Sequence, residues 1–286
     1  MLVPQTLQWL EQCKSGRAWL AELPRLVSEL TCAWNLEIGP PFDGSNVSFV
    51  APVVQNGSEL VLKVQWPHDE CLHEADALQV WNGSGAIKLI AHDSRRHALL
   101  LERCRPGDTL AASRNADPIE VLTALLPKLW KPASKPFKHL ANEARGWSDE
   151  LSASWDTAKV RCDRRLIDTA SDFIDMLADT QGEQVLVHQD LHGDNILSAQ
   201  REPWLVIDPK PLLAEREFSL APIIRSFEFG HSRAAVIERL DRLSERLNID
   251  RERARRWAIA QTVAWSFDSS LAVHHYETFD WLMDAA

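Results

Sequence analysis

Apolar residues recur at Leu10, Leu20, Leu23, Leu26, Val27, Leu30 and Trp34 within residues 7–36, a spacing that predicts one or two amphipathic helices broken near Gly16 and Pro24. The period then shortens. Segments 46–54 (NVSFVAPVV), 59–66 (ELVLKVQW), 86–92 (AIKLIAH) and 97–104 (HALLLERC) read as strands, with NGS at 56–58 as a hairpin turn. Segment 69–83 (DECLHEADALQVWNG) is helical in pattern and closed by Gly83. After RPGDTL at 105–110 the pattern becomes mainly helical, over 118–130, 163–180 and several stretches from Glu217 onward. Two short apolar runs interrupt it, QVLVH at 184–188 and WLVID at 204–208, and with NILSAQ between them they predict a small embedded hairpin. The expectation is an α+β, bilobal chain. Residues 1–102 form a small antiparallel-sheet lobe with a helical extension over 1–38, residues 103–107 a connector, and residues 108–286 a mainly helical lobe. A cleft between two lobes is the default ligand site.

Composition narrows the function. The 286 residues are 45% hydrophobic and 25% charged, ordinary globular usage with enough apolar material for two lobes. No stretch approaches the roughly 18 apolar residues of a membrane span, and Glu11 and Lys14 interrupt the first apolar positions, so neither a signal peptide nor an anchor is expected. The five cysteines (Cys13, Cys32, Cys71, Cys104, Cys162) are odd in number and never in C-x-x-C spacing, which favours a reducing cytoplasm over a disulfide framework or a thiolate zinc site. A net charge of −10 argues against a nucleic-acid partner and is compatible with a cationic small molecule. Oligomeric state is not legible.

Candidate chemistry gathers in 185–209, VLVHQDLHGDNILSAQREPWLVIDP. Asp190 and Asn195 lie five apart on a loop leaving an apolar strand, and Asp208 ends another strand, so both strands are expected to deliver polar groups to one sheet end. Phosphoryl transfer needs such a set: a carboxylate to orient and deprotonate a hydroxyl, and oxygen ligands for Mg²⁺ on the nucleotide phosphates. Asp190 fits the first role, Asn195 and Asp208 the second. By chance H-x-D-x-x-x-x-N is expected roughly 0.02 times in a chain of this composition, so the motif is informative. The alternation of His188, Asp190, His192 and Asp194 has a competing reading as a transition-metal site, but no H-E-x-x-H or further ligand cluster accompanies it. His188 itself is read as a structural histidine.

Lys63 lies in an apolar strand, where an ammonium is costly unless it meets an anion, and Glu74 on the following helix is its natural partner. The bland alternative is a weak surface pair. The turn DGSNVSF, with Ser45, Asn46 and Ser48, offers N–H and hydroxyl groups that could cover phosphates.

These residues carry a resemblance. HQDLHGDNIL, WLVIDPKPLLAE, VLKV with Glu74, VWNGSGAIKLI and LLLERCRPGDTL together resemble the aminoglycoside phosphotransferase branch of the protein-kinase-like fold, and within it the streptomycin 6-kinase and hydroxyurea phosphotransferase family. The resemblance implies a kinase using ATP and Mg²⁺ on a hydroxyl of a small molecule. It makes Asp190 the base, Asn195 and Asp208 the Mg²⁺ ligands and Lys63 a phosphate contact, and it assigns backbone groups of Glu102 to Cys104 to adenine. Asp208 is followed by Pro209 and no activation-loop segment follows, which counts against a protein substrate. The resemblance places acceptor contacts on the C-terminal helices, with Asp268 preferred among Glu215, Glu277 and Asp280 for a cationic acceptor. A metabolite kinase for an amino sugar or amino alcohol and a nucleotide-binding pseudokinase are the competing expectations. The joint presence of Lys63, Asp190, Asn195 and Asp208 disfavours the latter.

Overall fold

The computed structural model describes residues 3–158, 160, 162–267 and 269–285. The chain divides into two compact units, residues 1–107 and 108–286.

In the first unit a 3₁₀ helix over Gln5–Gln12 leads into α1 (Lys14–Ala33), followed by β1 (Glu37–Ile38), β2 (Ser48–Gln55), β3 (Ser58–Gln65), α2 (Glu74–Trp81), β4 (Leu89–Asp93) and β5 (Ala98–Glu102). The break expected near Gly16 falls at Cys13, whose Sγ accepts the Gly16 N–H as an N-cap. Pro24 does not break α1: it lies on the exposed face, where water can satisfy the carbonyl that its missing N–H leaves unbonded. The buried stripe of Trp19, Leu23, Val27 and Leu30 packs with Leu7 and Leu10 against Phe49, Ala51, Leu62, Val64 and Leu100 of the sheet. That sheet is antiparallel throughout, ordered β1-β2-β3-β5-β4. Asn56 and Gly57, at φ 49° and 78°, close the β2–β3 hairpin with the left-handed pair that a two-residue turn requires. The helix expected over 69–83 is split: a 3₁₀ turn at Asp69–Cys71 ends before His73, which sits at φ 68°, and α2 starts immediately after it.

The second unit contains α3 (Pro118–Leu129), β6 (Lys138–His139), α4 (Leu140–Thr157), α5 (Arg164–Ala178), β7 (Gln184–His188), β8 (Ile196–Ser198), β9 (Trp204–Val206), β10 (Pro211–Glu215), α6 (Ala221–Ile224), α7 (Arg233–Leu247), α8 (Arg251–Ala264) and α9 (Ala272–Met283). Helix α4 escaped the sequence pattern because its buried stripe holds only Leu140, Ala144 and Leu151. The embedded β structure also differs from expectation. Strands β7 and β9 belong to separate sheets: β7 pairs antiparallel with β10, which pairs parallel with β6, while β8 and β9 form their own hairpin. Strand β10 is buried at every position, so it shows no alternation to read. Among the described residues no helix is long and apolar enough to cross a membrane.

Candidate active site

His188 fastens the two small sheets to each other. Its Nε2 donates to the Ile207 carbonyl at 3.0 Å and its Nδ1 accepts the Asp190 N–H at 3.2 Å, which requires the neutral ring. Burial holds its pKa down at about 4, against the opposing charges of Asp190 and Asp208. Gln189 N–H donates to the Lys210 carbonyl and Ile207 N–H to the Asn195 carbonyl, both at 3.0 Å. Asp190, Asn195 and the turn after β9 are thereby brought together, although their strands lie in different sheets. Asn195 Nδ2 donates to the Asp190 carbonyl at 2.9 Å, leaving the amide oxygen as its acceptor face. Asp208 is exposed and sits at φ 55°, a left-handed conformation that Asp tolerates better than most side chains. Gly193 lies against Ala111, where a Cβ would come within 3.0 Å of Ala111 Cα and N. The close approach seats the loop on the 109–111 segment.

The Asp190 carboxylate is half-buried and meets Lys210 Nζ at 3.1 Å from Oδ2. Burial pushes its pKa up, but the positive charges of Lys210, His192, His188 and Arg225 outweigh this and hold it below the usual aspartate range. Lys210 and Arg225 both lie over the Trp265 ring, at 5.4 and 4.8 Å from its centroid. Gln261 joins them to the loop: its Oε1 accepts from Arg225 Nε at 3.3 Å, and its Nε2 donates to the Gln189 carbonyl at 3.2 Å. On the other side His192 Nδ1 meets Glu228 Oε1 at 3.1 Å, and Ser226 Oγ donates to the second Glu228 oxygen. Despite burial, these hydrogen bonds bring Glu228 down to about 2. For His192, burial is overcome by Glu228 and Asp190, which raise its pKa. Lys210, Arg225, Trp265 and the His192–Glu228 pair were not singled out from sequence. Only Lys210, two residues after Asp208 in DPKP, had a local signal.

In the first unit Lys63 Nζ donates to Glu74 Oε2 at 2.7 Å, both side chains buried, so the pair is not the weak surface bridge of the alternative reading. Gln65, two residues along β3 and on the same face, donates to the same oxygen at 2.6 Å. In the 44–48 turn Ser45 Oγ accepts the Ser48 N–H, and Ser48 is buried. The Ser45 and Asn46 carbonyls accept from Thr6 Oγ1 at 2.7 Å and Trp9 Nε1 at 2.8 Å. The Glu102 carboxylate accepts the Lys88 N–H at 2.8 Å, and its backbone N–H donates to the Lys88 carbonyl. Cys104 is half-buried beside them in sequence.

The expected acceptor acids are dispersed. Glu215 is buried and accepts from Arg253 Nε at 2.6 Å, from Trp257 Nε1 and from Gly182 N–H, so it is an internal counter-ion unavailable to a ligand. Asp280 is paired with Arg165 at 2.8 Å. Glu277 is paired with His231 at 2.9 Å. Asp268 lies outside the described residues.

The profile of the aminoglycoside/hydroxyurea antibiotic resistance kinases matches residues 34–269. The chain belongs to this family. It is 34% identical over 269 residues to the streptomycin 6-kinase of Streptomyces griseus, covering 90% of this chain and 87% of that one. The hydroxyurea phosphotransferase of Kitasatospora aureofaciens is 32% identical over 255 residues, or 87% of this chain and 74% of the relative. A choline kinase of Streptococcus pneumoniae superimposes with a TM-score of 0.67 at 13% identity, covering 92% and 98% of the two chains, which shows the protein-kinase-like fold. As a member of the antibiotic resistance kinases the chain is a phosphotransferase that uses ATP and acts on a hydroxyl of a small molecule.

Proposed function

We propose that the protein transfers the γ-phosphoryl group of ATP to a hydroxyl of a cationic, streptomycin-like antibiotic. The observation that carries the chemistry is the Asp190 carboxylate, held ionised by Lys210 and anchored through its own backbone to His188 and Asn195. An ionised, positioned carboxylate orients an incoming hydroxyl in line with the phosphoryl group and takes its proton as the new P–O bond forms. Lys63, fixed by Glu74, serves the nucleotide phosphates, and backbone groups of Glu102 to Cys104 serve the base. The turn around Ser45, Asn46 and Ser48 contributes the amides that its internal bonds leave over.

Asn195 and Asp208 suit Mg²⁺: the hydrogen bond from Asn195 Nδ2 leaves its amide oxygen as a hard neutral donor, and the exposed Asp208 carboxylate adds a hard anionic one. When bound, the ion neutralises charge on the phosphate oxygens. The two streptomycin 6-kinases among the relatives, rather than the hydroxyurea phosphotransferase, support a guanidinium- or ammonium-bearing acceptor. With Lys210 and Arg225 already beside Asp190, its positive groups must be met by acids further out, of which Asp194 is exposed on the Asp190 loop.

A coupled ADP-release assay over aminoglycosides, amino sugars and amino alcohols tests this reading. Activity is expected with streptomycin-like acceptors, and Asp190→Ala should lower turnover by about 10² to 10⁴. Turnover on amino alcohols alone would replace the acceptor, and an Asp190→Ala enzyme above about a tenth of wild-type rate would remove the assigned base.

A further inference from the structure

The loop after α6 and the first half of α9 bring two imidazoles and a carboxylate together. His231 Nε2 lies 2.9 Å from Glu277 Oε2. One ligand atom from each of His231, His274 and Glu277 falls within 4.8 Å of the others. His274 and Glu277 are three apart on α9 and so share a face, while His231 arrives from the chain just before α7. The His231 ring is flanked by Phe227 and Trp281, at 5.1 and 4.8 Å between centroids, and meets the His274 ring edge-on at 4.7 Å.

We infer that His231, His274 and Glu277 form a binding site for a divalent transition-metal ion, with Zn²⁺ the best chemical match. Two imidazole nitrogens and one carboxylate oxygen are a ligand set that zinc accepts, leaving a fourth tetrahedral position for water. Mg²⁺ and Ca²⁺ favour all-oxygen shells and are disfavoured here. Bonds of about 2.0–2.1 Å place neighbouring ligand atoms about 3.3 Å apart around a tetrahedral ion. The His231–Glu277 separation of 2.9 Å and the 4.8 Å bound on the other two bring the three atoms within reach of that spacing, and His274 and Glu277 are exposed, so their side chains have room to adjust.

The loop that delivers His231 is held in advance. The buried Arg239 donates from Nε and Nη2 to the Ile224 carbonyl, from Nη2 to Ser226, and from Nη1 to Phe229 and Gly230. A hydrogen bond alone accounts for His231 and Glu277. It does not account for His274, whose imidazole has no hydrogen-bonding partner among the described residues and has one ring nitrogen within 4.8 Å of the other two ligand atoms. An ion here would tie α9 to the loop carrying Glu228, the partner of His192 on the Asp190 loop. It would also assign Glu277 to a metal rather than to the acceptor. A second set, His192, Asp194 and Glu228, has similar spacing but borders the phosphoryl-transfer residues, so the test must separate the two.

The full-length chain, stripped with a chelator, is titrated with Zn²⁺ by calorimetry and with Co²⁺ by visible absorption, and its Tm is recorded with and without Zn²⁺. Wild type should bind one ion at this corner, with tetrahedral Co²⁺ absorption and a raised Tm. His231→Gln, His274→Gln and Glu277→Gln should each weaken binding about tenfold or more and abolish the Tm rise, whereas His192→Gln and His139→Gln should not. Circular dichroism of the metal-free variants checks folding, and should His231→Gln fail to fold, His274→Gln, on an exposed helix face, decides alone. Absence of binding by wild type, unchanged affinity in His274→Gln, or loss of binding with His192→Gln alone would each overturn the assignment.

Discussion

Lys210 Nζ lies 3.1 Å from Asp190 Oδ2 and 5.4 Å from the centroid of the Trp265 ring, so one ammonium is shared between a carboxylate and an aromatic face. Its charge is the largest of those that lower the Asp190 pKa. Lys210→Met should therefore reduce kcat by about 10²-fold, the scale of a lost transition-state contact, with little change in the KM for ATP. Removing the cation raises the Asp190 pKa, so the acid limb of kcat/KM should move to higher pH. A kcat and acid limb both matching wild type would show the pair to be incidental.

Asp208→Asn should weaken MgATP binding and be partly rescued by excess Mg²⁺, because it removes the one anionic oxygen ligand of the proposed pair. Lys63→Ala should weaken nucleotide binding without altering the Mg²⁺ dependence, since an ammonium paired with Glu74 meets the phosphates directly and is not a ligand of the ion. Calorimetry of both variants checks the distinction, and equal Mg²⁺ rescue of the two would erase it.

Glu215→Gln should destabilise the fold by about 3–5 kcal/mol, because it strips the negative charge from a buried group that faces Arg253 and Trp257. The acceptor KM should stay at its wild-type value. Denaturant melts measure the first quantity and steady-state kinetics the second; a stable variant with a raised KM would return Glu215 to the acceptor site.

His188 and His275 are both buried, and burial lowers each to about 4 from the ordinary histidine value of 6.5. Between these values the unfolded chain binds protons that the folded one does not. Stability from the neutral rings is thus fully present above pH 6.5 and is lost as pH falls towards 4. Melts from pH 7 to pH 4 should show the decline, and His188→Asn should flatten part of it. A stability profile unchanged by that substitution would mean that the ring titrates normally.

Where the sequence was read correctly, the signal was local. The β2–β3 hairpin announces itself through alternation and an Asn-Gly turn, and the gathering of Asp190 and Asn195 on one loop through their spacing of five after an apolar strand. What was missed depends on distant partners. Strand β10 is buried along its whole length and has no period, and its pairing with β7 instead of a β7–β9 hairpin is decided by packing. Trp265 is one of twelve tryptophans and acquires meaning only when Lys210 and Arg225, 55 and 40 residues earlier, settle on its ring. Glu215 looked like a free acid because nothing in its neighbourhood in the chain reveals that Arg253 and Trp257 close over it.

The hydrogen bonds from Thr6 and Trp9 to the Ser45 and Asn46 carbonyls reach further than anchoring a terminus. A trans peptide holds its C=O and the next N–H pointing in opposite directions, so seizing those two oxygens aims the amides of Asn46 and Val47 the other way. The 3₁₀ helix over Gln5–Gln12 therefore acts as a jig that sets the orientation of a glycine-containing turn which would otherwise swivel. Trimming that helix, or crowding it with a fused tag, would leave every residue of that turn in place and its peptide planes unaligned.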